Sequence, residues 1–309
     1  MRRFDPMAVR PPLTAPWAAL CASLLLAACA ETPADPAGAA LPSATAASAD
    51  TAVRAAPTAD AAGIAPDAAP VGLPGDAVRD FLVARYGALA QLAGDWPGTP
   101  LTDAGLGDAA ALRDVCVRAP VGEADAPAEL VVVCGLPDGA GHVTPAITDF
   151  FLLRRDGDTI AAAAESHQQT FGSFGDLADI AVHRVGAKRY GVVIESGFTG
   201  QGITLGTRDI VLPRDGGFAA AASLRSTLDN AGWMSACLDA GTCAAEDAFD
   251  LQFDLDLDDS RSAAEVYPLL VRERGTACGR RIDATYRLAF DAATGAWPVP
   301  AALQRDGCD

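Results

Sequence analysis

Two hydrophobic periods run along the chain. Val78, Leu82, Tyr86 and Leu89 recur at spacings of three and four, which predicts an amphipathic helix capped by Asp76 and closed by Gly94 and Pro97. Beyond it the pattern changes to alternation or short apolar runs. Strands are predicted over 113–118, 129–135, 147–154, 159–165, 180–184, 190–196, 203–209, 218–223, 248–257, 266–272 and 281–290. Arg-Asp-Gly-Asp at 155–158, Val-Gly-Ala-Lys at 185–188 and Arg-Asp-Gly-Gly at 214–217 are tight-turn signals between them. Links this short cannot hold crossover helices, so the sheet should be mainly antiparallel. The expected fold is mainly β with a helical N-terminal element, either an antiparallel β-sandwich or an incomplete propeller. Residues 151–170 and 181–200 echo one another as strand, turn, strand and Glu-Ser, a likeness that a shared hairpin design explains.

Composition divides the chain further. Residues 30–75 are Ala, Pro, Thr, Ser, Asp and Gly with almost no large apolar side chain before Ile64. Such a stretch cannot bury enough surface to offset its ordering entropy, so 29–75 reads as a disordered Ala/Pro-rich tether with a mean reach of about 35 to 40 Å. Residues 76–309 then form a β-rich globular domain. The 309 residues carry 23 Lys and Arg against 40 Asp and Glu, a net charge of −17. That balance, without any basic run longer than two residues, argues against nucleic acid as a partner.

The first thirty residues are an address. Arg2, Arg3 and Arg10 precede an uncharged stretch whose apolar part, Trp17 to Ala28, is twelve residues long. Twelve residues reach about 18 Å as a helix, short of the roughly 30 Å hydrocarbon core, so a signal peptide over 1–28 is favoured over a spanning anchor. Leu26-Ala27-Ala28-Cys29 resembles the lipobox of bacterial lipoproteins, a likeness confined to these residues. The resemblance implies cleavage before Cys29 and a diacylglycerol, palmitate-type anchor on its thiol. Each buried CH₂ would contribute about 0.8 kcal/mol to that anchorage. Ala30, in place of Asp, implies sorting to the outer membrane, with the domain in the periplasm or at the cell surface. Cleavage would leave 20 cations and 39 acids, a net charge of −19.

Eight cysteines are present. Cys21 leaves with the leader and Cys29 takes lipid. The remaining six, in an exported chain, read as disulfides, and the sequence-local set is Cys116 with Cys134, Cys237 with Cys243, and Cys278 with Cys308. Zinc is disfavoured, because no Cys-x-x-Cys occurs and no His lies near a Cys.

Chemistry is harder to find. Asp254, Asp256, Asp258 and Glu265 match positions 1, 3, 5 and 12 of an EF-hand-type calcium loop, but Asp259 stands where a Gly should and Arg261 where an apolar residue is usual. A solvated strand face is the competing account, and no cofactor other than calcium is expected. Glu165 and Glu195, each followed by Ser, would form a glycosidase-like pair if the two hairpins were neighbours. Ser173 sits in Gly172-Ser173-Phe174-Gly175, short of a nucleophile elbow. His142, His167 and His183 are the three histidines, with His167 read as an exposed loop residue. Gly200-Gln201-Gly202 reads as a turn. Asn230-Ala231-Gly232-Trp233 reads as a loop whose Trp packs inward or marks a contact surface. The expected function is therefore a cell-envelope lipoprotein, held to the membrane by its N-terminal lipid, whose domain is a non-catalytic binding or structural module. Its partner would be an envelope protein or glycan. A periplasmic glycan hydrolase using Glu165 and Glu195, and a calcium-stabilised adhesion or assembly module, are the alternatives.

Overall fold

A computed structural model describes residues 69–98, 111–141, 143–172 and 176–308. The leader, Cys29 and most of the tether lie outside the described residues, as do His142 and Ser173. The chain makes two antiparallel meanders in succession. The first sheet is β1 (Trp96–Gly98), β2 (Ala111–Pro120), β3 (Ala128–Pro137), β4 (Ala146–Asp156) and β5 (Thr159–Phe171), paired in that order. The second is β6 (Asp179–Gly186), β7 (Arg189–Gly200), β8 (Ile203–Arg214), β9 (Gly217–Asp229), β10 (Phe249–Leu257), β11 (Leu269–Ala277) and β12 (Arg280–Leu288), again in chain order. Helix α1 (Gly75–Tyr86) precedes the first sheet, and α2 (Ala231–Asp239) lies between β9 and β10. The fold is thus mainly β with a helical N-terminal element, and its two antiparallel sheets form a sandwich rather than a propeller.

The two hydrophobic patterns have separate physical causes. The middle of the first sheet is covered on both faces, so β3 and β4 read as continuous apolar runs. Val131, Val133, Phe151 and Leu153 pack under Val78, Leu82 and Tyr86 of α1, together with Trp96. Their neighbours Leu130, Val132 and Phe150 pack instead on Val192, Ile194 and Val211 of the second sheet. Strand β10 alternates because only one of its faces is inside: Phe249, Leu251 and Phe253 are buried while Asp250, Gln252 and Asp254 are exposed.

The second sheet curls. β10 pairs with β9 over only three residues, Asp250 to Gln252, and then parts from it. At the far edge, the end of β6 meets the β10–β11 connection: the Tyr267 amide donates to the Val185 carbonyl at 2.8 Å, and the Ala187 amide to the Ala264 carbonyl at 2.8 Å. The curl encloses a third core of Ile210, Leu212, Leu224, Leu251, Phe253 and Val271, with Trp297 from the C-terminal segment inside it. The Trp297 indole donates to the Tyr267 carbonyl at 3.0 Å, fixing that segment. Disulfides join Cys116 to Cys134, Cys237 to Cys243 and Cys278 to Cys308. These are the sequence-local pairs, and the first links the adjacent strands β2 and β3.

Four sequence expectations need correction. Helix α1 stops at Tyr86, because Gly87 follows in a left-handed conformation (φ 95°), so Leu89 stands outside it and is 65% exposed. Asp76 does not cap α1. Pro74 holds that position, and the Asp76 carboxylate accepts only the adjacent Ala77 amide. The stretch opening at Ala231 is helix, not loop, and it buries Met234 and Cys237. Packing also begins ahead of residue 76. Val71 bridges Gly122, and Leu73 is buried with its amide on the Glu129 carboxylate at 2.8 Å.

Candidate binding site

Where β10 parts from β9, the inner face of the curled sheet stays open as a groove of about 730 Å³. Strand alternation decides what lines it: Val193 on β7, Ile210 on β8, Leu255 and Leu257 on β10 and Leu269 on β11 form an apolar floor, with Tyr267 beside it. Asp179, His183, Glu195, Arg208, Asp256 and Asp259 supply the polar rim. An apolar concavity of this size with a few polar groups at its mouth is the usual form of a ligand site, and the mouths of curled or closed sheets are a common place for one.

The residues singled out by sequence are distributed over both sheets. Glu195 lies on β7 in the groove, directly across from Arg208 on β8. Both its oxygens accept from that guanidinium at 3.0 Å. Glu165 lies on β5 of the other sheet, bonded to Arg85 of α1 at 2.7 Å, and it does not line the groove. The two hairpins that echo each other in sequence therefore end in different sheets, and each Glu has an arginine of its own. His167 is in β5, not a loop. Its side chain is 15% exposed, 3.8 Å from Glu165 and packed on Phe151.

The calcium candidates also separate. Asp254 pairs with Arg274, Asp258 with Arg287 at 2.9 Å, and Glu265 with Arg189 at 3.4 Å, while Asp256 alone lines the groove. The Ser260 hydroxyl and the Arg287 guanidinium hold the Asp258 carboxyl below the usual carboxylate range. Among the described residues no three His, Cys, Asp or Glu side chains gather as a metal cage. The physical reason is that β10 continues straight through Asp254 and Asp256, which keeps successive same-face carboxylates nearly 7 Å apart. Gly200 and Gly202 do lie in a turn, the tip of the β7–β8 hairpin, with Gln201 at φ 54°.

One charged cluster escaped sequence reading altogether. Arg113 and Asp149 are both fully buried and bond at 2.7 Å. The Asp149 carboxylate also accepts the Tyr86 hydroxyl at 2.7 Å and the Gln168 amide at 2.6 Å. Burial, with Asp149 beside it, pushes the Tyr86 phenol far above its ordinary range. The guanidinium lies over the Tyr86 ring, and its stem runs through a slot opened by Gly98 and Gly135, where any Cβ would strike it. This cluster ties α1 and the strands β2, β4 and β5 together from inside.

Comparison of the chain with protein-family models, with curated proteins and with solved structures finds no match.

Proposed function

We propose that the chain is a cell-envelope lipoprotein, anchored through Cys29, whose β-domain is a non-catalytic binding module with the mouth of the curled sheet as its site. The groove of about 730 Å³ carries this reading, since its floor is apolar and its rim is charged. Asp179, Asp256 and Asp259 stand on that rim in addition to the Glu195–Arg208 pair. The surplus favours a partner that presents an apolar group flanked by cations. A binding role is favoured over glycan hydrolysis because Glu195 is clamped by Arg208 and Glu165 belongs to another sheet. Neither carboxyl is placed to share a sugar with the other.

Affinity capture from envelope extract tests the reading. The soluble domain should retain one envelope component that Leu255→Trp, which fills the groove, loses by about tenfold or more. Asp254→Asn, on the outward face of β10, should retain it. Equal capture by wild type and Leu255→Trp, with both folded by circular dichroism, would show that the groove is not the site.

A further inference from the structure

A second cavity lies on the opposite face of β7, between the two sheets. Where the shared core opens beyond Leu130 and Leu152, a cleft of about 460 Å³ forms, and a wider groove of about 930 Å³ continues from it to Ala69 and Pro70. Its charge is opposite to that of the whole chain. Arg154, Arg155, Arg184, Lys188 and Arg189 line the two cavities against Glu123, Asp125 and Glu265, in a protein of net charge −17.

Most of these groups are engaged. Lys188 pairs with Glu123 at 2.6 Å, Arg189 with Glu265 at 3.4 Å, and Arg184 donates to the carbonyls of Gly186 and Ala187. Arg154 and Arg155 differ: both are exposed at the end of β4, and no carboxylate among the described residues pairs with either. Strand geometry aims Arg154 at the cleft, because it shares a face with Leu152, and the residue opposite it on β3 is the small Ala128. The walls beyond it are apolar: Val121, Leu130 and Leu152 on one side, Tyr190 and Pro213 on the other.

We propose that this cleft binds an anionic amphiphile: an oxyanion head, carboxylate or phosphate, on Arg154, and an apolar chain between the two sheets. Guanidinium forks suit either oxyanion. The walls also account for the choice of an amphiphile over a free ion, since a bare phosphate would leave the apolar floor exposed. The proposal is independent of the groove in the curled sheet. Tyr190, Val192 and Ile194 face the first sheet, whereas Val193 and Glu195 face into the curl.

Calorimetric titration of the full chain with decanoate and with decyl phosphate, below their micelle concentrations, tests it. Decanol is the uncharged control. Saturable binding of at least one anion, tighter than decanol, is the expected result, and the two arms tell carboxylate from phosphate. Arg154→Gln should weaken that binding by about tenfold or more, while Arg272→Gln, on the outward face of β11, leaves it unchanged. Leu255→Trp should also leave it unchanged, which separates this cleft from the groove. The proposal is overturned if neither anion binds saturably, if decanol binds as tightly, or if Arg154→Gln keeps wild-type affinity.

Discussion

Asp149→Ala is expected to destabilise the domain by about 3–5 kcal/mol, because it leaves the Arg113 guanidinium fully buried without its counter-charge. The loss is compounded by the Tyr86 hydroxyl and the Gln168 amide, both of which donate to the same carboxylate and would be stranded. Removing both charges should cost far less than removing one. Arg113→Met combined with Asp149→Leu should recover the part of the loss due to the unpaired guanidinium, in a slot walled by Trp96, Tyr86 and Phe151, while the Tyr86 hydroxyl and Gln168 amide stay without their acceptor. Equilibrium urea unfolding of the two single variants and the double variant checks this. A single Asp149→Ala loss under about 1 kcal/mol would mean that the pair is not desolvated as described.

Gly186→Ala is the second substitution with a large expected effect. A Cβ at residue 186 would lie within bonding distance of the Glu265 carbonyl oxygen and against the Cα of Val266, both backbone atoms that cannot rotate away. The strand end and the 264–267 segment must then separate, breaking the two backbone hydrogen bonds that close the curl. Overpacking of this kind costs about 1–3 kcal/mol. The effect should be local as well: faster amide exchange at Ala187 and Tyr267, with little change at Leu130 or Val132 in the other layer. Loss of groove binding should accompany it. Unchanged exchange at Ala187 and Tyr267 would contradict the closure of the sheet.

Much of the fold was legible because its turns are chemically explicit. Arg-Asp-Gly at 155–157 and 214–216 places the β4–β5 and β8–β9 hairpins, and the alternation from Phe249 to Leu257 gives β10 its inward face. What failed did so where tertiary contacts overrule local pattern. In β2, Leu112 is 54% exposed and Arg113 fully buried, the reverse of what polarity predicts, and only Asp149 on β4 explains it. The Glu165–Glu195 pairing failed because two similar hairpins in sequence need not share a sheet. The calcium spacing is split by the chain: Asp254 and Asp256 lie in β10 while Asp258 and Glu265 lie in the connection after it, each of Asp254, Asp258 and Glu265 on an arginine of its own. Tyr267, Arg208 and Arg154 carry no local signal of a site. They become visible only when register sets Arg208 across from Glu195 and Arg154 across from Ala128.

The two cavities give the domain opposite polarities on the two faces of one sheet, an acidic rim inside the curl and arginines between the layers. An envelope tether would let such a domain meet both a cationic partner and an anionic amphiphile near one membrane. Intact-mass analysis of the native protein, extracted from membranes without reductant, tests that setting directly. The account predicts a chain beginning at Cys29, heavier by a diacylglyceryl group and its acyl chains, and lighter by six hydrogens for three disulfides. A product with an unmodified, uncleaved N-terminus and six free thiols would contradict it.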